Sequence, residues 1–543
     1  MHNKILAATI GDCIHTMSLM KYLSIAEELE FEANFIGSAL SIDTIIREIE
    51  IWKPDIVVLS YRLTPSVARE LFSELKSRLK GTQYDNLIFI LGGTNPVLSE
   101  AQSFGLFKFM FSEVTPECSA IQFLNGGANN QTGSYTYQTD LVMRIEQSYP
   151  MPLIRHHFGL PSVEETIEGV RRIAESQVID IISIGPDQNA QEHFFRPESM
   201  NPHSDGAGGV PLRKSTDLSD IYQASRCGNY PLVRCYAGTN DLTRWADMLA
   251  ETIHVAWGAI PITWYSELDG RSSRPLVQAI KENQDAIAYY ASKGIPVEIN
   301  ESHQWALRNT SDIIEVATAY IATYNAKNLG VKHYIMQYML NTPPGISLEM
   351  DIAKMLAKIE LIESLHDDNF TSYRMIRTGL ASLSSDPDVA KGQLASSITI
   401  SMALKPHIVH VVGFSEGDHL ASPKDVIESC KIARGVISNC LNGLPNILEI
   451  PNIVQRRAEI LRETKVLLDA IRDLSDGDTD PLLDPSLLAR AIAIGFLDAP
   501  LLKGRTAAKG NLTTRLINGA CQAVEPNSGE VLDEKNRLNL LSK

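Results

Sequence analysis

Strand-like and helix-like segments alternate along most of this chain, and that rhythm restricts the possible fold more than any other feature. The first run reads strand 4–10, helix 17–30, strand 32–36, helix 42–51, buried strand 55–60, helix 65–79 and strand 86–91, closed by Gly92-Gly93. Such repetition predicts a doubly wound parallel sheet, which binds ligands beyond the carboxyl ends of its strands. From about residue 150 the alternation returns at wider spacing, with strands expected at 178–184, 231–236, 259–265, 295–301, 332–339, 373–379 and 408–414. These seven predict a β/α (TIM-type) barrel, with the eighth strand at 153–157 or inside 397–404. Helices follow at 453–474 and 485–494, and then a Gly- and Lys-bearing tail that is expected to close one end of the barrel.

The boundaries are therefore read as a first domain over 1–125, a linker over 126–149, a barrel over 150–450 and a closing segment over 451–543. The linker is placed by the polar, glycine-rich run between Leu124 and Asp140. No repeat of fixed period is present, which excludes a solenoid.

Composition narrows the function classes. A chain of 543 residues exceeds one ordinary core, and 44% hydrophobic with 21% charged residues is a globular balance. A net charge of −16 without a basic run excludes a general nucleic-acid binder and an anionic membrane surface as partner. No stretch approaches the roughly 20 apolar residues of a membrane span, and residues 1–8 lack a signal-peptide pattern. The seven cysteines are scattered without a CxxC pair, so neither a disulfide framework nor a structural zinc site is expected, and the expected compartment is the cytoplasm. The expected partners are a small-molecule substrate and a second copy of the chain, as a homodimer.

Three motifs fall at strand ends of the first run: Gly11-Asp12-Cys13-Ile14-His15, Ser60-Tyr61-Arg62-Leu63, and Leu91-Gly92-Gly93-Thr94. An imidazole can ligate a metal while a carboxylate on its other nitrogen fixes the tautomer. A serine hydroxyl can hydrogen-bond a ligand, and glycines admit a close backbone approach. Together the motifs resemble the flavodoxin-like cobalamin-binding domain of base-off/His-on enzymes, whose pattern is Asp-x-His-x-x-Gly, Ser-x-Leu, Gly-Gly. The resemblance implies His15 as the cobalt ligand, Asp12 as its partner, and Ser60, Leu63, Gly92 and Gly93 around the displaced nucleotide tail. The chain departs from the pattern in three places. Two residues separate Asp12 from His15, Ser18 stands where glycine is expected, and Ser60 and Leu63 are one residue further apart.

The second part resembles the catalytic subunit of glutamate mutase, through Arg234-Cys235-Tyr236-Ala237-Gly238-Thr239, Pro296-Val297-Glu298-Ile299-Asn300-Glu301, Gly330-Val331-Lys332 and Leu497-Asp498-Ala499-Pro500. That resemblance implies adenosylcobalamin and a radical isomerisation inside an enclosed barrel. Candidate catalytic residues are Arg234, Glu298, Glu301 and Tyr265, with Glu267, Arg271, Asn300, His303, Gln337, Arg374 and Glu416 as further substrate contacts. Arg234 suits a substrate carboxylate or phosphate through its bidentate fork. On a regular strand only one of Glu298 and Glu301 faces the interior. Glu301 stands where the family pattern has an arginine, and Asn328-Leu329 replaces an acidic residue before Gly330, so the expected substrate is anionic but not glutamate. The alternatives are a corrinoid methyltransferase and a non-enzymatic cobalamin sensor or carrier. Loops 203–209 and 503–510 are read as surface loops whose glycines and basic residues are open to a ligand.

Overall fold

The computed structural model describes residues 4–112, 115, 119, 123–124, 137–236, 240–379, 382–475 and 477–541. The chain divides into two units, one of Met1–Gln138 with Met143–Met151 and Ile437–Pro445, the other of Thr139–Val142, Pro152–Val436 and Asn446–Lys543.

In the first unit β1 (Lys4–Ile10), β2 (Glu32–Leu40), β3 (Ile56–Tyr61), β4 (Ile88–Gly93) and β5 (Phe107–Phe111) form a parallel sheet of order β2-β1-β3-β4-β5. That is the flavodoxin-like winding, which reverses direction between β1 and β3 and opens a crevice at their carboxyl ends. Val57, Val58 and Leu59 of β3 are fully buried, the signature of a central parallel strand covered on both faces. Helix Ile42–Trp52 starts where the Ser41 hydroxyl accepts the Thr44 N–H at 3.2 Å and ends on left-handed Lys53.

The second unit is built on eight parallel strands: β6 (Leu153–Phe158), β7 (Ile181–Ile184), β8 (Leu232–Cys235), β9 (Gly258–Ile260), β10 (Val297–Ile299), β11 (His333–Leu340), β12 (Thr371–Thr378) and β13 (Ile408–His410). The ladder runs β8-β7-β6-β13-β12-β11-β10-β9, so the first strand of the barrel pairs with the last. Between β8 and β9 the described residues form no ladder, and the Ala256 N–H donating to the Val233 carbonyl at 2.9 Å bridges that seam.

The structure sets the bounds of several expected elements. The eighth strand is Leu153–Phe158, whereas residues 397–403 belong to helix Pro387–Ala403. The strand expected over 259–265 stops at Ile260, because Pro261 has no N–H and the next two N–H groups, of Ile262 and Thr263, donate to the Glu301 carboxylate at 3.0 and 3.1 Å. Residues 126–136 of the expected linker lie outside the described residues, and its end is the helix Leu141–Ser148, which buries Leu141 and Ile145 one turn apart. The segment after 446 belongs to the barrel unit. Its tail contains the antiparallel hairpin β14 (Thr514–Ile517) and β15 (Ala520–Ala523), joined by Asn518-Gly519, both at positive φ as a two-residue hairpin turn requires.

Candidate active site

Alternation along short strands turns a group of charged side chains into the barrel. Arg155 and His157 of β6, Ser183 of β7, Arg234 of β8, Glu298 of β10, Met375 of β12 and His410 of β13 meet there. Arg155 donates to Ser183 Oγ at 2.7 Å, lies 3.2 Å from His410 Nδ1 and 3.1 Å from His157 Nε2, and touches Met375 Sδ at 3.1 Å. Arg234 reaches the same serine at 3.2 Å. Both guanidinium groups approach Glu298 Oε2, at 4.0 Å from Arg155 and 3.5 Å from Arg234, while the Trp257 indole N–H donates to that oxygen at 2.7 Å. Arg155 and Arg234 also lie over the Trp257 ring, 5.4 and 5.1 Å from its centroid.

The electrostatics follow from enclosure. Arg155 and Arg234 are fully buried and Arg377 of β12 is nearly so; the first two share one carboxylate, Glu298, while Arg377 is attracted by Glu416 as well as by Glu298. Burial, and then the neighbouring Arg234 charge, pulls the Arg155 guanidinium down to about 9, still cationic at neutral pH. Burial likewise lowers Arg377. His157 and His410 are driven well below the ordinary imidazole value, first by burial and then by Arg155, so both are neutral and can accept the arginine N–H groups. Arg234 Nε has no hydrogen-bond partner among the described residues, and Nη2 has only the 3.5 Å ion pair with Glu298. Buried donors without acceptors mark a place for an anionic ligand.

The remaining expected residues divide. Glu301 does not face this chamber as a free carboxylate. Its oxygens accept from the Ile262 and Thr263 N–H groups, the Thr263 hydroxyl and, at 2.8 Å, the Trp305 indole, so it fastens the loop after β9 to the loop after β10. Tyr265 lies in that loop at φ 59° with the Arg271 guanidinium 4.2 Å over its ring. Arg271 itself pairs with Asp269 at 2.7 Å, and Glu267 accepts the Leu276 N–H. Asn300 and His303 are buried, and burial, followed by Arg377, keeps His303 neutral. Gln337 is buried with its amide nitrogen unpaired among the described residues. Arg374 turns outward and pairs with Glu363 at 2.6 Å, being three residues from the inward Arg377 on the same strand. Glu416 follows β13, and burial raises its carboxyl against the pull of Arg377. Sequence reasoning passed over Arg155, His157, Arg377 and His410. The signal available was a cation or imidazole inside an otherwise apolar strand, as in Leu-Ile-Arg-His-His-Phe.

At the strand ends of the first unit, His15 is exposed and its carbonyl accepts the Ser60 hydroxyl at 3.2 Å. Cys13 Sγ stands 3.7 Å from His15 Nδ1. Asp12 is exposed and makes no bond to His15, because the extra residue in Asp-x-x-His places the buried Cys13 on the imidazole side. Leu63 is 40% exposed. A Cβ on Gly93 would lie 2.9 Å from the Tyr61 carbonyl, and one on Gly92 2.7 Å from the Phe111 ring, so the strands themselves require both glycines. His15 Nε2 has no partner among the described residues, and the loop carrying it is tethered to β3. An exposed imidazole on a loop tethered to β3 fits a metal ligand, and His15 and Ser60 are the residues that would hold a corrinoid here.

Eight parallel strands around a buried cationic cluster, carried in one chain with a doubly wound sheet, define an α/β protein of two units, a barrel and a flavodoxin-like domain. The profile of the methylaspartate mutase E chain matches residues 233–538. The chain belongs to that family, which is one of cobalamin-dependent enzymes. Among solved structures, it is similar to a cobalamin-binding protein from Desulfitobacterium hafniense DCB-2, at 23% identity over 23% of this chain and 57% of that one, with a TM-score of 0.19. It is also similar to the cobalamin-dependent S-adenosylmethionine radical enzyme OxsB with aqua-cobalamin and S-adenosylmethionine bound, at 11% identity over 81% of this chain and 56% of that one, with a TM-score of 0.21. The chain thus spans little more than half the length of either. No curated protein sequence matches it.

Proposed function

We propose that the chain is an adenosylcobalamin-dependent radical isomerase acting on a small anionic substrate other than glutamate. The observation that carries this reading is the buried cluster inside the barrel in which Arg155 and Arg234 together meet the single carboxylate of Glu298. The chemistry supplied by adenosylcobalamin, when bound, is homolytic cleavage of its cobalt–carbon bond and removal of a substrate hydrogen atom. His15, Ser60 and Gly93 would hold the corrinoid. Inside the barrel, Arg234, whose Nε is without a partner among the described residues, grips a substrate carboxylate or phosphate, and Arg377 supplies a second positive charge. Glu298 keeps the arginines apart and oriented, and the neutral His157 and His410 hold Arg155 without adding charge. Enclosure by the eight strands keeps water and stray hydrogen donors away from a reactive intermediate.

The exclusion of glutamate rests on the ammonium group. Glu298 is already engaged by Trp257 and both arginines, and Glu301 by four protein donors. A substrate ammonium would therefore find Glu298 and Glu301 already engaged and Glu416 drawn to Arg377, so arginine charge would oppose it. The test loads the purified chain with adenosylcobalamin in the dark and supplies small carboxylic acids with and without an amino group. Light-sensitive turnover of an acid lacking the amino group is expected, falling at least about 100-fold in Arg234→Met, the cost of about 3 kcal/mol of lost charge-assisted binding. Conversion of glutamate to methylaspartate overturns the substrate assignment. The cob(II)alamin form should show imidazole nitrogen hyperfine splitting that His15→Ala abolishes; an unchanged splitting overturns His15 as ligand.

A further inference from the structure

The loops that follow β9 and β10 bring three arginines together at the rim of the barrel. Arg271 and Arg308 share two acceptors. Asp269 Oδ2 lies 2.7 Å from Arg271 Nε and 3.6 Å from Arg308 Nη2, and Gln304 Oε1 accepts from both guanidinium groups at 3.1 Å. Each also lies on an aromatic ring of the loop after β9, Arg271 over Tyr265 and Arg308 over Trp264, 4.2 and 4.1 Å from the ring centroids. The third, Arg505, comes from the tail. Asp498 accepts the backbone N–H groups of Ala499, Gly510, Asn511 and Leu512 at 2.9–3.0 Å, and so pins both ends of the loop that carries Arg505. The Arg505 guanidinium rests against the backbone of Gly270, the neighbour of Arg271, where a Cβ would collide with it. Arg505 is exposed, and its side chain has no hydrogen bond or ion pair among the described residues. The Asp269 side chain is 1% exposed, so the surface itself presents guanidinium N–H groups. Burial lowers the Arg308 pKa, and the Arg271 and Arg505 charges lower it further against the pull of Asp269 and Glu301.

We infer that Arg271, Arg308 and Arg505 form a binding site for a phosphoryl group at the rim of the barrel, apart from the Arg155 and Arg234 cluster inside it. Like charges gathered at one surface repel until an anion answers them, and planar guanidinium forks suit the oxygens of a phosphate. The three groups are held in advance, by rings, by a shared carboxylate and by a pinned loop, so binding sacrifices little side-chain freedom. Their place beyond the carboxyl ends of β9 and β10 is the face on which barrels of this kind bind ligands. The excess of positive charge around the buried Asp269 favours a dianion over a monocarboxylate. Such a phosphoryl group can arrive as part of the barrel's substrate or on a separate ligand, and the recognition chemistry is the same for both.

The experiment titrates the full chain with inorganic phosphate and with acetate by calorimetry, at low ionic strength because salt screens exposed charge. Wild type is expected to bind phosphate at least about tenfold more tightly than acetate. Arg505→Gln should weaken phosphate by about tenfold or more, and Arg271→Gln comparably, whereas Arg234→Met should leave it unchanged within about twofold. A wild-type chain that does not bind phosphate, or binds acetate equally well, overturns the inference. So does a loss in Arg234→Met with none in Arg505→Gln, which would put the ion inside the barrel and leave the proposed substrate grip intact. Phosphoglycolate, which carries a carboxylate beside its phosphate, separates the two sources. An affinity lowered by both Arg234→Met and Arg505→Gln supports the rim as a handle for the substrate, and one lowered by Arg505→Gln alone supports it as the site of a separate ligand. Thermal unfolding without phosphate is the control. The Arg505→Gln midpoint should match wild type, and a lower one means that Arg505 is already bonded in the empty protein, which also overturns the inference.

Discussion

His156 sits between two inward-facing residues of β6 and packs the other way, with its Nδ1 on the His157 carbonyl and its Nε2 beside Gly413. Burial depresses its pKa to about 4. His157, His303, His407 and His410 are shifted in the same direction, each by burial first. An unfolded chain takes up these protons below about pH 6.5, while the folded chain resists them until about pH 4 for His156 and His407. Stability therefore falls as pH drops through that window and is fully present above it. Chemical denaturation between pH 7 and pH 4 should show a loss corresponding to more than one proton, and His156→Asn should remove about one proton from the slope. An unaltered slope in the variant would assign the pH dependence elsewhere. At this scale the sequence was partly legible. His15 and Ser60 could be placed at strand ends because turns announce where strands stop. The inward set could not be chosen, because a three-residue separation such as Arg374 to Arg377 reverses the face of a strand whose starting phase is unknown.

Helices are held to one another by buried charge. Lys354, on helix Leu348–Glu363, lies 2.8 Å from Glu315 and 3.6 Å from both Asp312 and Asp351, and donates to the Thr342 carbonyl at 2.6 Å. Lys358 completes the pair on Glu315, and Arg456 binds Asp312 at 2.9 Å, fastening helix Pro451–Arg472 to helix Asp312–Asn328. Removing the central cation strands carboxylates in a dry interface, so Lys354→Met should cost about 3–5 kcal/mol in denaturant unfolding. A cost below 1 kcal/mol would mean that water reaches the cluster. The elements themselves were largely readable from apolar periodicity. Their lengths were less so, since β9 is shortened by Pro261 and by a carboxylate, Glu301, that takes the Ile262 N–H from 39 residues later in the chain. The Asn518-Gly519 hairpin carried a local turn signal that the sequence reading took for part of a tail.

At the scale of the whole chain, two separately wound units were visible as two spacings of one alternation, and the division falls close to the polar run before β6. Family membership rests on the barrel side, residues 233–538, so cofactor and substrate readings are tested by different halves of the molecule. The barrel also has a built-in weak line. Around seven of its eight boundaries each strand is paired in a ladder, whereas β8 and β9 are joined by the Ala256–Val233 bond. Arg234 stands on one side of this line and Trp257 on the other, their groups 5.1 Å apart. A sheet with one unlaced edge opens there first. Amide exchange should accordingly be fastest at residues 256–260 and 232–235 among the barrel strands, and an anion bound to Arg234 should slow it. Uniform protection around the ring would show the line to be closed. The barrel would thus behave as a clasp: the strand that carries the gripping Arg234 is also the strand that lines the weak joint, so tight binding and slow entry would be one property of the same joint.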